Sequence, residues 1–300
     1  MRAFWHYDAP MEDLDFSNSG KSRPLPQAAP APAYMPDVAR AFFESAGKEE
    51  TVPEGTRFFQ ENDKASRILL KRDKMYLLEQ GEVALVVKGR AIGTVKPGEI
   101  FGEMAAITES PRSATAIART RCTVLSLDDK QFLSALRQKP EFALMLLGLM
   151  IRRLRAMLGG LTGIPSAAGA AKESRVFDRG MLATLARGLG HHAVVRYDRN
   201  KVIMVQGQVG AFMYVVQEGR VAITLRGAIV ERVGPGGVFG EMALVDQSAR
   251  AASAAAETDC VLLAINRPVC MNLVKTNPDF GVSLLTAVAE RVRNLAAGVN

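Results

Sequence analysis

One short pattern occurs twice in this chain, 138 residues apart, and it constrains the fold more than any other feature. The letters FGEMA begin at residue 101 and again at residue 239, and an arginine, Arg112 or Arg250, follows nine residues after each glutamate. When residues 75–142 are laid on residues 213–280 without a gap, 24 of the 68 positions are identical. Because a period this long is the size of a domain and not of a solenoid repeat, the chain is predicted to contain two copies of one domain.

Each copy is predicted to consist of short strands followed by a long helix. Residues 214–227 form two β-rich runs around a turn, and residues 261–265 form an apolar strand. Pro140 and Pro278 each precede an acidic residue and then apolar residues at helical spacing, which is typical of a helix start. The fold class is therefore mainly β with α. The predicted organisation is a flexible, proline-rich tail at residues 1–38, a first domain at 39–158, a linker at 159–174 and a second domain at 175–300.

The repeated residues have the chemistry of a pocket for an anion and a hydroxyl group. A glycine lets the backbone approach a ligand closely, and the N–H groups of a helix start favour an anion. Arginine offers a permanent charge and a fork of donors that suits phosphate oxygens, whereas glutamate accepts a hydrogen bond from a hydroxyl. The candidate ligand-binding residues are Gly102, Glu103, Met104, Ala105, Arg112, Ser113, Ala114 and Thr115 in the first copy, and Gly240, Glu241, Met242, Ala243, Arg250, Ala251, Ala252 and Ser253 in the second.

Both copies resemble cyclic nucleotide-binding domains, as in the regulatory subunits of protein kinase A and the bacterial catabolite activator family. The resemblance covers roughly residues 52–157 and 194–295, and the first copy departs from it in a charged insertion at residues 63–74. It implies two β-roll, jelly-roll-like domains, each with flanking helices. It also implies that Glu103 and Glu241 bind a ribose 2′-hydroxyl, and that Arg112 and Arg250 bind the cyclic phosphate.

The resemblance further implies a binding protein and not an enzyme. Its ligand would be cAMP or cGMP, with cAMP favoured because Ser113 and Ala251 follow the arginines, and no cofactor is expected. The helices after Pro140 and Pro278 would close over the ligand and carry the signal, so that hydrogen exchange at residues 144–158 and 282–295 should slow on binding. An effector protein, not identified by the sequence, would read the change through the aromatic and acidic tail at residues 4–16, the apolar faces of these helices, or the linker. A homodimer stays open.

Alternatives to this interpretation come from the same residues. The glutamates and arginines of each copy could form plain surface ion pairs, Glu103 with Arg112 and Glu241 with Arg250. The basic cluster at residues 152–155 is predicted to be a set of helix-end charges. A transcription regulator of the catabolite activator type is the alternative function. It would lack the usual DNA-reading module, since the sequence stops just after the second long helix.

Composition limits the remaining classes. No apolar run is long enough for a membrane span, no secretory signal is visible, and three scattered cysteines favour the cytoplasm over a disulfide scaffold. The net charge of +7 permits contact with nucleic acid, but no long basic run is present, so nucleic acid is not an expected partner. No cluster of metal ligands or of a nucleophile with a base supports an enzyme such as a phosphodiesterase.

Overall fold

The computed structural model describes residues 34–64, 73–160 and 173–298. Most of the predicted tail, the central part of the linker and the centre of the charged insertion lie outside these residues. The helices of the first half are α1 (Pro36–Ala46), α2 (Glu103–Thr108), α3 (Asp129–Gln138) and α4 (Pro140–Gly160). Its strands are β1 (Lys48–Val52), β2 (Arg57–Phe59), β3 (Lys74–Gln80), β4 (Val83–Val87), β5 (Arg90–Val95), β6 (Ile100–Phe101), β7 (Thr115–Ala118) and β8 (Cys122–Asp128).

The second half repeats this order. Its helices are α5 (Arg179–Leu189), α6 (Glu241–Asp246), α7 (Arg267–Thr276) and α8 (Pro278–Gly298), with a short 3-10 turn at His191–Ala193. Its strands are β9 (Glu173–Ser174), β10 (Val194–Tyr197), β11 (Val202–Met204), β12 (Phe212–Glu218), β13 (Val221–Leu225), β14 (Ala228–Val233), β15 (Val238–Phe239), β16 (Ser253–Ala256) and β17 (Cys260–Asn266). We call residues 34–160 domain A and residues 173–298 domain B.

Each domain is a roll of two antiparallel sheets. The sheet orders are β1-β8-β3-β6 and β2-β7-β4-β5 in domain A, and β10-β17-β12-β15 and β11-β16-β13-β14-β9 in domain B. Only the pairing of β14 with β9 is parallel among the described strands. Alternate strand residues point inward, so that Leu78 and Val83 in domain A, and Val216 and Val221 in domain B, fill the two interiors. The predicted fold class, two β-rolls with flanking helices, is confirmed, whereas the predicted domain boundaries stay a prediction.

The helices after each roll begin at residues that favour a helix start. Asp128 and Asn266 occupy the same repeat position, and each side chain accepts a hydrogen bond from a backbone N–H of the following helix. The longer helices α4 and α8 start at Pro140 and Pro278, in agreement with the prediction. Proline is favoured at this position because its missing N–H would be unpaired there in any case.

The long helices α4 and α8 pack against each other and join the two domains. A single apolar cluster contains side chains of both helices, including Met150 and Ile151 of α4 with Leu284 and Val288 of α8. Both helices span 21 residues, and their bounds are 138 residues apart. Their apolar faces are one of the surfaces predicted to contact an effector protein. The structure instead buries much of those faces in a core that the two domains share.

No helix among the described residues is long and apolar enough to cross a lipid bilayer.

Candidate functional site

A left-handed glycine starts the short helix at the centre of each candidate pocket. Gly102 follows β6 with a φ of 77° and caps α2, and Gly240 follows β15 with a φ of 80° and caps α6. Residues other than glycine rarely adopt this backbone conformation. A Cβ at Gly102 would also lie 3.0 Å from Arg112 Nη1, and one at Gly240 would lie 2.7 Å from Arg250 Nη1. Glycine is therefore required at both positions, by the backbone conformation and by the nearby arginine side chain.

The two arginines lie in the same way in the two domains. Arg112 is 5% exposed, and it donates from Nη1 to Gly102 O at 2.8 Å and from Nη2 to Lys74 O at 2.7 Å. Arg250 is 6% exposed and donates to Gly240 O at 2.8 Å and to Phe212 O at 2.6 Å. Burial lowers the pKa of both guanidinium groups from the usual value for arginine. Arginine nevertheless stays charged in proteins, so each pocket holds a buried cation.

The surroundings of the two arginines differ. Arg112 Nε lies 3.3 Å from a carboxylate oxygen of Asp73, and its guanidinium carbon lies 4.2 Å from the centre of the Phe59 ring. Ala211 occupies the position in domain B that corresponds to Asp73. Domain B instead brings its arginine against Gly210, where a Cβ would lie 2.0 Å from Arg250 Nε. We call the candidate pocket with Glu103 and Arg112 pocket A and the one with Glu241 and Arg250 pocket B. The positive charge in pocket A is therefore partly offset by a carboxylate, whereas Arg250 has no counterpart of Asp73.

The two glutamates are also buried charges of the pockets, and neither pairs with the arginine that follows it. Glu103 and Glu241 are each 3% exposed. Arg153 of α4 forms an ion pair with Glu103, and Arg291 of α8 donates to Glu241 at 2.8 Å. Arg291 also contacts Glu231 at 3.1 Å. The alternative of plain surface pairs between Glu103 and Arg112, or between Glu241 and Arg250, is therefore not what the structure shows.

Electrostatics tie these helix arginines to the pockets. The carboxylate of Glu103 raises the pKa of Arg153. For Arg291, burial lowers the pKa, but the carboxylates of Glu231 and Glu241 outweigh burial and raise it. The prediction that the basic cluster at residues 152–155 is a set of helix-end charges is wrong for Arg153 and Arg155, whose side chains form ion pairs with carboxylates. Arg153 and Arg291 are 138 residues apart, so the repeat could have identified them as partners of the glutamates. Arg153 lies eleven residues beyond residue 142, where the gapless alignment ends.

The remaining sequence candidates divide into two groups. Ala105 and Ala243 are buried in the short helices, while Met104 and Met242 pack against the core that both domains share. Ser113 is exposed, Ala114 is buried, and Ala251 and Ala252 are half-buried.

Two of the three hydroxyl candidates, Thr115 and Ser253, hold the neighbouring turns. The backbone N–H of Glu61 donates to Thr115 Oγ1 at 2.9 Å, and that of Gln206 donates to Ser253 Oγ at 2.9 Å. These hydroxyls support the segments that carry Arg112 and Arg250.

Stacked rings lie behind both pockets. Tyr76 stacks on Phe101 with centroids 5.0 Å apart, and Tyr214 stacks on Phe239 at 5.1 Å. Burial raises the pKa of Tyr76 and of Tyr214 to about 12, so both phenols are neutral at physiological pH. These pairs fix the strands from which Gly102 and Gly240 follow.

No group of three or more histidine, cysteine, aspartate or glutamate side chains within residues 34–64, 73–160 and 173–298 is arranged to hold a metal ion. The pockets combine a buried arginine, a buried glutamate and a glycine that starts a helix. This arrangement can bind a small molecule that has both an anionic group, which suits the arginine, and a hydroxyl group, which suits the glutamate.

Comparison with known proteins identifies the family. The profile of the family described as "Cyclic nucleotide-binding domain" matches residues 49–139 and 194–277, which together are more than half of the chain. The regulatory subunit of cAMP-dependent protein kinase from Eremothecium gossypii is 27% identical over 212 residues, which cover 70% of this chain and 40% of that protein. The corresponding protein of Yarrowia lipolytica is 26% identical over 201 residues, covering 65% and 48%. The chain thus spans less than half the length of these curated relatives.

Solved structures are also similar. The regulatory domain of Toxoplasma gondii PKA with cAMP is 20% identical and covers 87% of this chain and 95% of its own, with a TM-score of 0.29. The N-terminal domain of a transcriptional regulator from Streptomyces coelicolor A3(2) is 29% identical and covers 41% and 85%, with a TM-score of 0.33. On the two profile matches and the duplicated pocket, the chain belongs to the cyclic nucleotide-binding domain family and carries that domain in tandem.

Proposed function

We propose that the chain is a cyclic nucleotide receptor that binds one cyclic mononucleotide in each domain and thereby controls a separate effector protein. The observation that carries the proposal is the duplicated pocket, in which a buried arginine and a buried glutamate flank a helix started by a left-handed glycine. Both buried charges have partners within the protein, and each can form a further hydrogen bond. A cyclic phosphate and a ribose hydroxyl would use both.

The pocket arginines retain capacity for a phosphate. Each guanidinium spends one Nη1 and one Nη2 hydrogen bond on backbone carbonyls, and its planar fork carries further N–H donors. The cyclic phosphate bears one negative charge, which would gain a charge-assisted contact in a site from which water is excluded. The carboxylates are in a similar position, because a carboxylate can accept from a hydroxyl as well as from an arginine.

The ligand that we propose is cAMP in preference to cGMP. The curated relatives are regulatory subunits of cAMP-dependent protein kinase. Ser113 and Ala251 follow the two arginines, and under the resemblance these residues favour cAMP. The three cysteines are buried and unpaired, which suits a reducing compartment such as the cytoplasm. The proposed role is binding and signal transmission, without turnover of the nucleotide.

The role of the glutamates can be tested with a ligand that lacks one hydroxyl. We expect 2′-deoxy-cAMP to bind about tenfold more weakly than cAMP, since a buried acceptor then loses its partner. The measurement is competition of the two nucleotides against a fluorescent cAMP analogue. The Glu103→Gln variant serves as the control, because its discrimination should weaken in pocket A and persist in pocket B. Equal affinity of the two nucleotides for the unaltered chain would remove the ribose contact from the proposal.

The effector that we propose is a protein kinase catalytic subunit, on the analogy of the curated relatives. The predicted contact is the aromatic and acidic tail at residues 4–16, since the apolar faces of α4 and α8 are largely used between the domains. Capture of proteins from a native lysate of the source cells with the full chain, with and without cAMP, tests this. We expect a kinase to be captured in amounts that change with cAMP, and to be lost when residues 1–38 are deleted. Identical captured proteins in both conditions would contradict a nucleotide-controlled effector.

A further inference from the structure

Each long helix carries a second arginine, two positions after the one that contacts its own pocket. In α4 these are Arg153 and Arg155, and in α8 they are Arg291 and Arg293. Residues two apart on a helix point in directions about 200° apart, so the members of a pair face different neighbours. Arg153 and Arg291 contact the glutamates of their own domains, whereas Arg155 and Arg293 contact the opposite domain.

Arg155 of domain A reaches a carboxylate at the edge of pocket B. It forms an ion pair with Asp246 through Nε, and its Nη2 donates to Asp246 Oδ1 at 3.0 Å. Asp246 is the last residue of α6, the helix that begins with Glu241, and it is 6% exposed. Its Oδ1 also accepts from the backbone N–H of Ser248 at 3.1 Å. Asp246 therefore links the helix that begins with the pocket glutamate to the segment that leads to Arg250.

Arg293 of domain B reaches the corresponding region of domain A. It donates to Ser110 Oγ, and Ser110 corresponds to Ser248 in the repeat. Ser110 Oγ in turn donates to Thr108 O at 3.0 Å, at the end of α2. Thr108 occupies the position that corresponds to Asp246, so domain A offers a neutral hydroxyl where domain B offers a carboxylate. The residues that the two arginines contact are thus offset by two positions in the repeat and differ in charge.

We propose that Arg155 is a positioning residue for pocket B and Arg293 a positioning residue for pocket A, so that each pocket is completed by the other domain. The short helices α2 and α6 have six residues each, and few internal hydrogen bonds hold them in place. Arg155 contacts the last residue of α6, four positions before Arg250. Arg293 contacts Ser110, two residues after the end of α2 and two positions before Arg112. Because the bond to Asp246 is charge-assisted and forked, the effect on pocket B should exceed the effect on pocket A.

The same arrangement couples the two pockets, and this part rests on the proposed function. A ribose hydroxyl that reaches Glu103 changes the partner of Arg153, and Arg155 lies on the same helix two residues later. The effect of cAMP in pocket A on the affinity of pocket B then equals the reverse effect, because coupling between two binding sites is reciprocal.

Hydrogen exchange of the ligand-free chain tests the positioning role without any nucleotide. We expect Arg155→Ala to speed exchange at residues 241–250 about tenfold, as for the loss of a buried charged partner, and to leave residues 103–112 unchanged. Arg293→Ala should speed exchange at residues 103–112 by a smaller factor and spare residues 241–250. Arg155→Lys, which keeps the charge but loses the fork, should give an intermediate rate.

Arg137→Ala is the matched control. Arg137 forms an ion pair with Asp279 at 3.0 Å, which also joins domain A to domain B but lies on the surface, with side chains 53% and 65% exposed. It should change exchange in neither pocket. If Arg155→Ala speeds both pocket segments equally, or neither, the positioning role is wrong.

Titration with cAMP then tests the consequence for affinity. In an Arg112→Ala background, which isolates pocket B, we expect Arg155→Ala to weaken cAMP about tenfold. In an Arg250→Ala background, which isolates pocket A, the same substitution should change cAMP affinity less than twofold. Unchanged affinity of pocket B would overturn the inference even though the receptor function stands. If the unaltered chain binds no cyclic nucleotide, the proposed function fails, and the exchange experiment still decides whether Arg155 positions α6.

Discussion

Replacing either pocket arginine with alanine should remove cyclic nucleotide from its own pocket and leave the other pocket able to bind. Truncating one partner of a buried charge pair costs about 3 kcal/mol, which is roughly a hundredfold in affinity. Arg250→Ala should therefore leave one site per chain, in domain A, and Arg112→Ala one site in domain B. The measurement is calorimetric titration of each variant and of the double variant with cAMP.

The controls for this result separate charge from geometry. Lysine in place of Arg112 or Arg250 keeps the charge but lacks the planar fork whose separate nitrogens reach the two carbonyls and a phosphate, so affinity should fall by an intermediate amount. Arg119 is a matched surface arginine, 58% exposed and paired with Glu82 at 3.0 Å, and Arg119→Ala should bind as the unaltered chain does. A double Arg112→Ala, Arg250→Ala variant that still binds two nucleotides would show that the pockets are elsewhere.

The largest effect on stability is expected at Gly219, in the turn between β12 and β13. Its φ is +85°, and a Cβ there would lie 2.1 Å from Asp259 O and 2.9 Å from Cys260 Sγ. Asp259 directly precedes β17, and its backbone oxygen cannot move aside as a flexible side chain can. We expect Gly219→Ala to lower the free energy of unfolding of domain B by about 3 kcal/mol, through overpacking and backbone strain together.

Gly227 provides a matched control for the strain alone. It has the same φ of +85°, lies in the next turn of the same domain, and a Cβ there would meet nothing within 4 Å. Gly227→Ala should cost about 1 kcal/mol, because only the left-handed conformation is penalised. Thermal unfolding followed by circular dichroism compares the two variants. Equal midpoints would mean that the contact with Asp259 does not constrain this turn.

The sequence predicted what is local and what is repeated. The glycine, glutamate and arginine of each pocket could be found because they recur at one spacing, and the starts of α4 and α8 could be found because proline and an acid mark a helix N-terminus. Short strands could be predicted because alternation and turn residues are visible along the chain, whereas the β-roll was implied by the resemblance to cyclic nucleotide-binding domains. Within each copy of the repeat, each of these signals is formed by residues that are close together in the sequence.

The pairing of Glu103 with Arg153 could not be predicted in this way. The two residues are fifty positions apart, and a basic cluster near the end of a helix is equally well explained by the helix dipole. Only the tertiary arrangement brings α4 across the pocket.

The core shared between α4 and α8 was missed for a related reason. A wide apolar face on a helix shows that something covers it, but it does not show whether the cover is the domain's own roll, the other domain or a partner. The sequence did contain one signal that both long helices reach the pockets and the opposite domain: arginines recur at positions 153 and 291, and at 155 and 293. It lies beyond the segment in which overall identity was counted.

The central claim is that both copies of the pocket are binding sites for a cyclic mononucleotide. Isothermal titration calorimetry of the unaltered full chain with cAMP, and separately with cGMP, tests it most directly because it gives affinity and stoichiometry in one measurement. We expect two cAMP molecules per chain and weaker binding of cGMP. Binding of one cAMP per chain would contradict the assignment of one of the two pockets, and no binding of either nucleotide would contradict the receptor function itself.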